Sequence, residues 1–306
     1  STFALTFGLT KVKNAWANGT GDPKEHLNVV RMCCAIKPYS SWHLGQVVTT
    51  ARERCGGQGY LSANRIGTYF GSAHAGQTAE GDNSVLMQKV AKEHLGLFKP
   101  HEDSPPQNLD LENVDHIEYL LKARENLQYK ELKQKLAPAM IYTKVGKSMP
   151  GLLKPIGDKL QEKGIFNTWM LQEQDLIQAF AKSYADRVIC EAFKETLAGE
   201  TGPVDPSLVP TLNKILHLHL LTTLEKDLPT FLSAGLLTSA QADAVLTINR
   251  RLCAELAPSA LALIDSFGLP EEMLQSPIAS DWIGYNAYDN QGELQTREEF
   301  EKILKL

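Results

Sequence analysis

The sequence predicts an all-α protein, with an antiparallel helical bundle followed by a second helical domain. Three observations support this fold class. Apolar residues recur at helical spacing through most of the chain, strand signals are weak throughout, and polar segments that contain proline or glycine separate the helical runs. With 306 residues, of which 43% are hydrophobic, the chain can bury a substantial core and is long enough for about two domains.

The first domain, residues 1–98, is predicted to be the bundle. Its first helix ends at the turn NGTGDP, and a long glycine-rich segment that starts at Cys55 separates its third and fourth helices. The fourth helix follows Asp82, an acidic residue suited to cap a helix N-terminus. The four helices are predicted at residues 3–16, 24–36, 41–54 and 84–98.

A linker and a second domain follow the bundle. Residues 99–111, KPHEDSPPQNLDL, have the polar, proline-bearing composition of a connector between packed units. The second domain, residues 112–306, resumes the helical pattern and is interrupted by GETGPVDP. We predict helices at residues 114–136 and 169–197, helical structure from the break to about residue 257, and a turn-rich segment with a short terminal helix at 280–306.

The composition argues against several classes of function. A formal net charge of -5, without a long run of lysine or arginine, gives no footprint for nucleic acid or anionic lipid. There is no run of about 18 apolar residues, so no membrane span is expected. The five cysteines form no CxxC pair and no metal-ligand spacing, which favours a reducing compartment without a metal site. Cys33 and Cys34 lie in an apolar helix, where we expect buried packing positions.

Residues 55–83, CGGQGYLSANRIGTYFGSAHAGQTAEGDN, are dense in glycine and nearly uncharged. We predict an irregular connection of about 25 residues, which is uncommon between two helices and is often functional. No other acidic residue lies between Cys55 and Glu80, and an isolated carboxylate in apolar surroundings suits a general base. Two alternatives are structural: Gly56 and Gly57 end a helix in left-handed geometry, and Glu80 is a helix-start acid.

Other candidate residues have structural interpretations. The GxG of residues 57–59 follows a helix rather than a strand, which is the wrong context for a dinucleotide fingerprint, and no GxSxG, HExxH or P-loop motif occurs. His217 and His219 lie two residues apart on a predicted helix, so we expect core histidines rather than a shared metal. For His74 we expect a structural hydrogen bond.

The glycine-rich segment resembles the acyl-CoA dehydrogenase superfamily. GGQGY begins at Gly56, and Glu80 follows 24 residues later, which is the spacing of the glycine turn and the catalytic Glu-Gly pair in that superfamily. Three further features resemble the acyl-CoA oxidases among its members: Cys55 before the glycines, the EGDNSVLMQ form of the motif, and Lys37 and Trp42 in KPYSSW.

The second half of the chain is similar to the extra C-terminal helical domain of the oxidases. The similar segments are FLSAGLLTSAQADAV, LCAELAPSALALIDSFGLPEEML and SPIASDWIGYNAYD. The resemblance therefore extends over about residues 37–288 and implies the C-terminal half of an acyl-CoA oxidase. The first residues lack an initiator Met and start in a helical pattern, which also suggests that an upstream part is missing.

The resemblance implies a reaction and a cofactor. Glu80 would remove the α proton of a fatty acyl-CoA while FAD accepts the β hydrogen, and dioxygen would reoxidise the flavin to give hydrogen peroxide. The Glu-Gly pair, Glu80 and Gly81, would contact the thioester. The glycine turn would reach across a homodimer interface to the neighbouring subunit's FAD. The residues implied in FAD binding are Gly56, Gly57, Gly59, Asp82 and Ser84.

Several positions depart from the pattern of the superfamily, and alternatives stay open. Glu53 stands where many dehydrogenases have a glutamine, Ala79 replaces an aromatic residue before the catalytic Glu, and Gly71-Ser72 replaces a charged pair. The alternatives are an acyl-CoA dehydrogenase that uses an electron carrier protein and a non-catalytic helical dimerisation module.

The C-terminal Leu-Lys-Leu is near the Ser-Lys-Leu peroxisomal address but lacks its small first residue. We expect a peroxisomal enzyme if the source is eukaryotic and a cytoplasmic one if it is bacterial.

Overall fold

The computed structural model describes residues 1–148, 154–274 and 276–289. These residues form helices and turns with no strand among them, which confirms the all-α prediction. The helices are α1 (Thr2–Ala17), α2 (Pro23–Arg54), α3 (Ile66–Thr78), α4 (Asn83–Leu97), α5 (Val114–Ser148), α6 (Lys154–Asn167), α7 (Gln174–Leu197), α8 (Val209–Lys226), α9 (Leu228–Ser233), α10 (Ser239–Leu256), α11 (Ala260–Asp265), α12 (Glu271–Leu274) and α13 (Trp282–Asp289).

Helix α2 corrects the prediction of two separate helices at 24–36 and 41–54. It continues through Pro38, a residue that removes a backbone hydrogen bond and usually kinks or ends a helix. Burial explains the continuation, because Ala35 and Ile36 are only 1% exposed and Pro38 is buried as well. Packing on this face therefore outweighs the local helix-breaking preference.

The glycine-rich segment is also more ordered than we predicted from its composition. Instead of an irregular connection it contains two short 3-10 turns, at residues 56–60 and 62–64, and the 13-residue helix α3. Small residues let α3 lie close to α2: a Cβ on Gly76 would meet Ser41 at 3.7 Å, and a Cβ on Gly45 would lie 3.2 Å from Gln77 Nε2. The glycines that lower the helix propensity of α3 also permit its close packing.

The chain divides into two compact units. The first unit contains Ser1–Ser40 and Gly81–Pro258, and the second contains Ser41–Glu80 and the residues from Ser259 onward. The predicted linker at 99–111 falls inside the first unit. The division into residues 1–98 and 112–306 stays a prediction.

Helix α7 forms the centre of the first unit. It packs against α1, α4, α5 and α8, and residues 183–186 and 188–190 are all buried, so most of this part of the helix lies in the core. Phe180 and Phe193 on α7 are fully buried. Helix α8 also packs against α10, whose N-terminus is closed by a capping box between Thr238 and Gln241.

In the second unit, Asn64 connects the glycine-rich segment to the residues after Gln275. Asn64 is 2% exposed, and its amide nitrogen donates to the Gln58 carbonyl at 2.8 Å. Its side-chain oxygen accepts a hydrogen bond from the Ile278 backbone at 2.9 Å. The last described helix of the unit, α13, lies inside the segment that we predicted to be turn-rich, and the predicted terminal helix lies outside the described residues.

Two consecutive charged residues of α5 pair with two consecutive charged residues of α7. Arg124 contacts Asp186 at 2.6 Å, and Arg187 contacts Glu125 at 2.7 Å, so the order of the charges is opposite on the two helices. Arg124 also pairs with Asp227 at 2.9 Å. Arg124 and Glu125 are both 0% exposed. Each guanidinium therefore donates to a carboxylate in a largely buried environment, where an unpaired charge is costly.

The carboxylate of Glu125 also binds one histidine near the end of α4 and one at the start of the predicted linker. It accepts hydrogen bonds from His94 Nε2 at 2.7 Å and His101 Nε2 at 2.8 Å. The backbone of His101 exchanges two further bonds with the Asn126 side chain, at 2.9 Å and 3.0 Å. The start of the segment 99–111 is thus attached to α5 rather than free.

This cluster predicts a loss of stability on acidification. Burial lowers the pKa of His94 below 6.5, and the nearby Glu125 offsets this only in part. Burial raises the pKa of Glu125, but hydrogen bonds from His101 and His94 and the charge of Arg187 outweigh it and hold that pKa well below 4.5. A group with a depressed folded-state pKa contributes stability above its unfolded pKa and loses it as the pH falls towards its folded pKa.

We therefore expect the free energy of unfolding to fall first below pH 6.5, as the unfolded chain protonates His94, and again below pH 4.5 for Glu125. Urea unfolding at a series of pH values measures this. A His94→Gln variant keeps an N–H donor for Glu125 but cannot titrate, so its stability should change less in the upper range. An equal slope in the variant and the parent would contradict the assignment to His94.

Candidate functional site

The glycine turn begins where α2 ends. Gly56 has φ +56°, the left-handed conformation that closes many helices, and this confirms the helix-ending interpretation for that residue. The guanidinium of Arg52 donates to the Gly56 carbonyl at 3.1 Å and lies over the ring of Tyr60, 5.4 Å from its centroid. The last turn of α2 thus fixes both ends of the 3-10 turn.

The three glycines of GGQGY have different surroundings. A Cβ on Gly59 would lie 2.6 Å from the carbonyl oxygen of Arg52, so this buried position has no room for a side chain. Gly57 has an ordinary negative φ, and a Cβ placed on it would meet no atom within 4 Å. The fold of this chain therefore requires glycine at 56 and 59 but gives no reason for glycine at 57.

Glu80 lies at the other end of the segment in an unusual conformation. Its φ is +57°, in the left-handed region that costs a non-glycine residue about 1 kcal/mol. It follows Ala79, which ends α3 in an extended conformation, and precedes Gly81, whose φ is +103°. Glu80 is exposed, so the described residues do not bury its carboxylate in apolar surroundings. Strained backbone of this kind clusters at functional sites, although Arg65 adopts the same conformation with φ +59°.

Asp82 caps α4, as we predicted. Its carboxylate accepts hydrogen bonds from the Ser84 amide at 2.9 Å and the Val85 amide at 3.2 Å. These bonds satisfy two of the free N–H groups of the helix and place a negative charge at its positive end. The Ser84 carbonyl in turn accepts from Gln178 Nε2 at 2.9 Å, which connects the start of α4 to α7.

Lys37 holds the backbone that follows Glu80. Its ammonium group donates to the Gly81 carbonyl at 2.6 Å and to Asn83 Oδ1 at 2.9 Å, and Asn83 is only 3% exposed. Lys37 belongs to the KPYSSW segment that resembles the oxidases, but the resemblance assigned no role to this residue. Because Lys37 and Gly81 are 44 residues apart, no local pattern could have indicated the contact.

Gly81 is restricted by its neighbours as well as by its φ. A Cβ at this position would lie 3.2 Å from the side chain of Leu86 in the first turn of α4. The turn Glu80-Gly81 is therefore defined by backbone conformation, by Lys37 and by packing against α4.

The three other histidines considered as candidates make contacts within the fold. His217 and His219 are buried, with His217 Nε2 2.7 Å from the Leu111 carbonyl and His219 Nδ1 3.3 Å from Ser1 Oγ, which confirms core positions. His74 is exposed and packs against Phe70, with 4.5 Å between the ring centroids and the ring planes tilted by 42°. Within the described residues, no group of three His, Cys, Asp or Glu could hold a metal ion.

The two vicinal cysteines differ from our prediction. Cys33 is exposed and Cys34 is intermediate in exposure, so the expectation of two buried packing positions is wrong. The reason is the orientation of α2, whose buried face in this part contains Met32, Ala35 and Ile36.

The predicted site residues belong to both units. Gly56, Gly57, Gly59 and Glu80 lie in the second unit, whereas Gly81, Asp82 and Ser84 lie in the first. The division falls between Glu80 and Gly81, which are neighbours in the chain. Of the departures from the superfamily pattern, Gly71 has open space at its Cβ position, and Glu53 and Ala79 are exposed.

Comparisons with known proteins find related sequences for most of the chain. The model of the acyl-CoA oxidase C-alpha1 domain matches residues 4–95, and the acyl-CoA oxidase model matches residues 149–281. Among curated proteins, acyl-coenzyme A oxidase 3, peroxisomal, of Arabidopsis thaliana is 27% identical over 294 residues, covering 94% of this chain and 42% of the relative. The human peroxisomal acyl-coenzyme A oxidase 3 is 26% identical over 286 residues, covering 90% of this chain and 41% of the relative.

Solved structures show the same fold. Acyl-CoA oxidase 3 of Yarrowia lipolytica matches with a TM-score of 0.75 at 18% identity, covering 99% of this chain and 46% of that chain. Acyl-CoA oxidase-1 of Caenorhabditis elegans, complexed with FAD and ATP, matches with a TM-score of 0.73 at 19% identity, covering 90% of this chain and 41% of that chain. The chain thus spans less than half the length of these relatives. It belongs to the acyl-CoA oxidase family.

Proposed function

We propose that this chain carries the catalytic base of a flavin-dependent acyl-CoA oxidase. The complete enzyme would convert a fatty acyl-CoA to the trans-2-enoyl-CoA and pass the electrons to dioxygen, which gives hydrogen peroxide. The observation that carries the proposal is Glu80, a carboxylate held in a left-handed conformation next to Gly81, whose carbonyl Lys37 fixes at 2.6 Å. Family membership supplies the reaction class.

Glu80 suits the first step of this reaction. The α proton of a thioester is weakly acidic, so its removal requires a base that is close to it and correctly oriented. The carboxylate would accept this proton, and the backbone N–H of Glu80 would donate to the thioester oxygen as negative charge develops there. Since Glu80 is exposed in this chain, the rest of its apolar surroundings would come from the substrate and from further protein.

The residues of the glycine turn fit an FAD-binding role. Bound FAD would accept the β hydrogen of the substrate as hydride. Gly57 has open space around its Cβ position, so its backbone is accessible to a ligand that comes from outside this chain. We propose that Gly56 and Gly59 shape this turn and that Gly57 contacts the cofactor of a neighbouring subunit. From the resemblance, we also propose that Asp82 and Ser84 at the start of α4 contact FAD.

Gly59 and Gly57 provide a test that separates folding from cofactor binding. Gly59→Ala is expected to lower the free energy of unfolding by about 1–3 kcal/mol, because its Cβ would lie 2.6 Å from a backbone oxygen. Gly57→Ala should change it by less than about 0.5 kcal/mol but weaken FAD binding by the complete enzyme roughly tenfold. Urea unfolding and FAD titration measure the two effects. Unchanged FAD affinity in Gly57→Ala would contradict the proposed contact.

The acceptor of the electrons distinguishes the two enzyme classes. With dioxygen as sole acceptor, the complete enzyme should form one hydrogen peroxide for each enoyl-CoA. An acyl-CoA dehydrogenase, the second candidate, would turn over only with an electron carrier protein. A non-catalytic dimerisation module would do neither, so parallel assays of peroxide and enoyl-CoA decide among the three.

The proposed partners and compartment follow from the same family. We propose a homodimer, because the glycine turn would then serve the FAD of the second subunit, and we expect this chain alone neither to retain FAD nor to oxidise acyl-CoA. Flavin absorbance and peroxide release of the purified chain test that expectation.

We further propose a peroxisomal location for a eukaryotic source and a cytoplasmic one for a bacterial source. Of the described helices, none has the length and apolar character needed to cross a membrane.

A further inference from the structure

A cavity of about 340 Å³ in the first unit lies outside the proposed catalytic site. It is bounded by α1, α2, the end of α4, the residues that follow it and α7. Four of its lining side chains are cationic and one is acidic. The cations are Lys11, Arg31, Lys99 and Arg187, and the acid is Glu191.

Two of the four cations are neutralised by carboxylates within the protein. Lys11 pairs with Glu195 at 2.6 Å, and Arg187 pairs with Glu125 at 2.7 Å and with Glu191 at 2.8 Å. In the part of the chain that the structure describes, Arg31 and Lys99 have no such partner. The four cations therefore outnumber these three carboxylates by one, in a chain whose overall charge is -5.

The guanidinium of Arg31 is held in place without being neutralised. Its Nε donates to the Tyr184 hydroxyl at 3.2 Å, and one terminal nitrogen donates to Asn28 Oδ1 at 2.7 Å. Arg31 and Arg187 also lie near the ring of Tyr184, at 5.3 Å and 5.5 Å from its centroid. A fixed guanidinium with a spare terminal nitrogen is well suited to bind an oxyanion.

Tyr184 supplies a further donor. It is 3% exposed, and its hydroxyl accepts from Arg31, but its own hydrogen has no acceptor among the described residues. Burial raises the pKa of Tyr184, so the hydroxyl keeps this hydrogen at neutral pH. A buried O–H group without an acceptor is costly, and an oxyanion in the cavity would remove that cost.

We propose that this cavity binds a phosphate group through Arg31, Tyr184 and Lys99. Arg31 on α2, Tyr184 on α7 and Lys99 after α4 line the same space, and a tetrahedral oxyanion has enough acceptor oxygens for several donors. The volume holds a phosphate ion with room for a small organic substituent. This site is independent of Glu80 and of the proposed oxidase reaction.

Calorimetric titration of the 306-residue chain tests the proposal. The probes are inorganic phosphate and glycerol 3-phosphate, with acetate and chloride at matched ionic strength as controls, since screening alone changes surface charge interactions. A phosphate probe should bind at one site and raise the unfolding temperature more than acetate does. Tighter binding of the ester identifies the phosphate group of a larger molecule, and equal binding identifies the free ion.

Three variants and a control locate the site. Arg31→Gln should weaken phosphate binding about tenfold and Tyr184→Phe about fivefold, because each removes a donor to a charged group. Lys99→Gln, at an exposed position, should also weaken binding and serves if either of the other variants fails to fold. Arg250→Gln changes an exposed arginine of α10 outside the cavity and should leave binding unchanged. Absent binding, or binding that all three cavity variants retain, would overturn the proposal.

Discussion

Glu80→Gln is expected to abolish most of the acyl-CoA oxidation by the complete enzyme, with kcat reduced by roughly 10³-fold or more. Glutamine has the size of glutamate but cannot accept the α proton, so the substitution removes the base without opening space. The left-handed backbone at φ +57° is equally accessible to both side chains. The effect should therefore fall on the chemical step rather than on folding.

Binding and assembly measurements make this result interpretable. FAD content, measured by absorbance, and the dimer, measured by light scattering, should match those of the parent enzyme. Glu102→Gln is a matched control, because it changes an exposed carboxylate after α4 that has no part in the proposed reaction. Full activity in Glu80→Gln would contradict its role as base and favour the dimerisation module. Loss of FAD together with activity would instead indicate a structural effect.

The sequence indicated the candidate residues of this site, but not the long-range contacts and backbone conformation that hold them. The spacing between the glycines and Glu80, and the cap at Asp82, are local patterns that the order of residues shows directly. The contact of Lys37 with Gly81 is not local, because the two residues are 44 positions apart and no periodicity relates them. The left-handed conformation of Glu80 could not be predicted from the sequence either, since that conformation is rare for glutamate.

The errors in the predicted elements have a common physical cause. Pro38 inside α2 and the glycines inside α3 both argue against a helix when propensity is considered alone. In each case tertiary packing decides the outcome, through the buried residues next to Pro38 and through the close approach of Gly76 to Ser41. Element type was predictable where apolar periodicity was strong, as in α5 and α7, and it was not where packing opposed local preference.

The ion pairs between α5 and α7 could not be predicted from the sequence for the same reason. Arg124 and Glu125 look like ordinary charged residues on a helix, and a charged position is usually solvated. The structure makes both fully buried, because α7 supplies a partner of opposite charge for each. This arrangement predicts that both pairs contribute to the stability of the first unit.

Arg124→Met is accordingly expected to lower the free energy of unfolding by about 3–5 kcal/mol. Methionine fills much of the space of arginine, but it leaves the carboxylate of Asp186 buried without Arg124 as its cationic partner. The hydroxyl of Tyr39 still donates a hydrogen bond to this carboxylate. Asp227 loses the same partner but is partly exposed, so water can solvate it. The cost therefore arises mainly from the unpaired carboxylate of Asp186. Urea unfolding followed by circular dichroism measures it.

Two further variants decide whether the buried charge is the cause. Arg124→Met combined with Asp186→Leu removes both charges and should recover much of the lost stability, since apolar residues can replace a buried ion pair. Arg251→Met removes an arginine that is 48% exposed and pairs with Glu112 at 2.6 Å, and solvent screening should make its effect much smaller. If the double variant were as unstable as Arg124→Met, lost packing rather than an unpaired carboxylate would explain the effect.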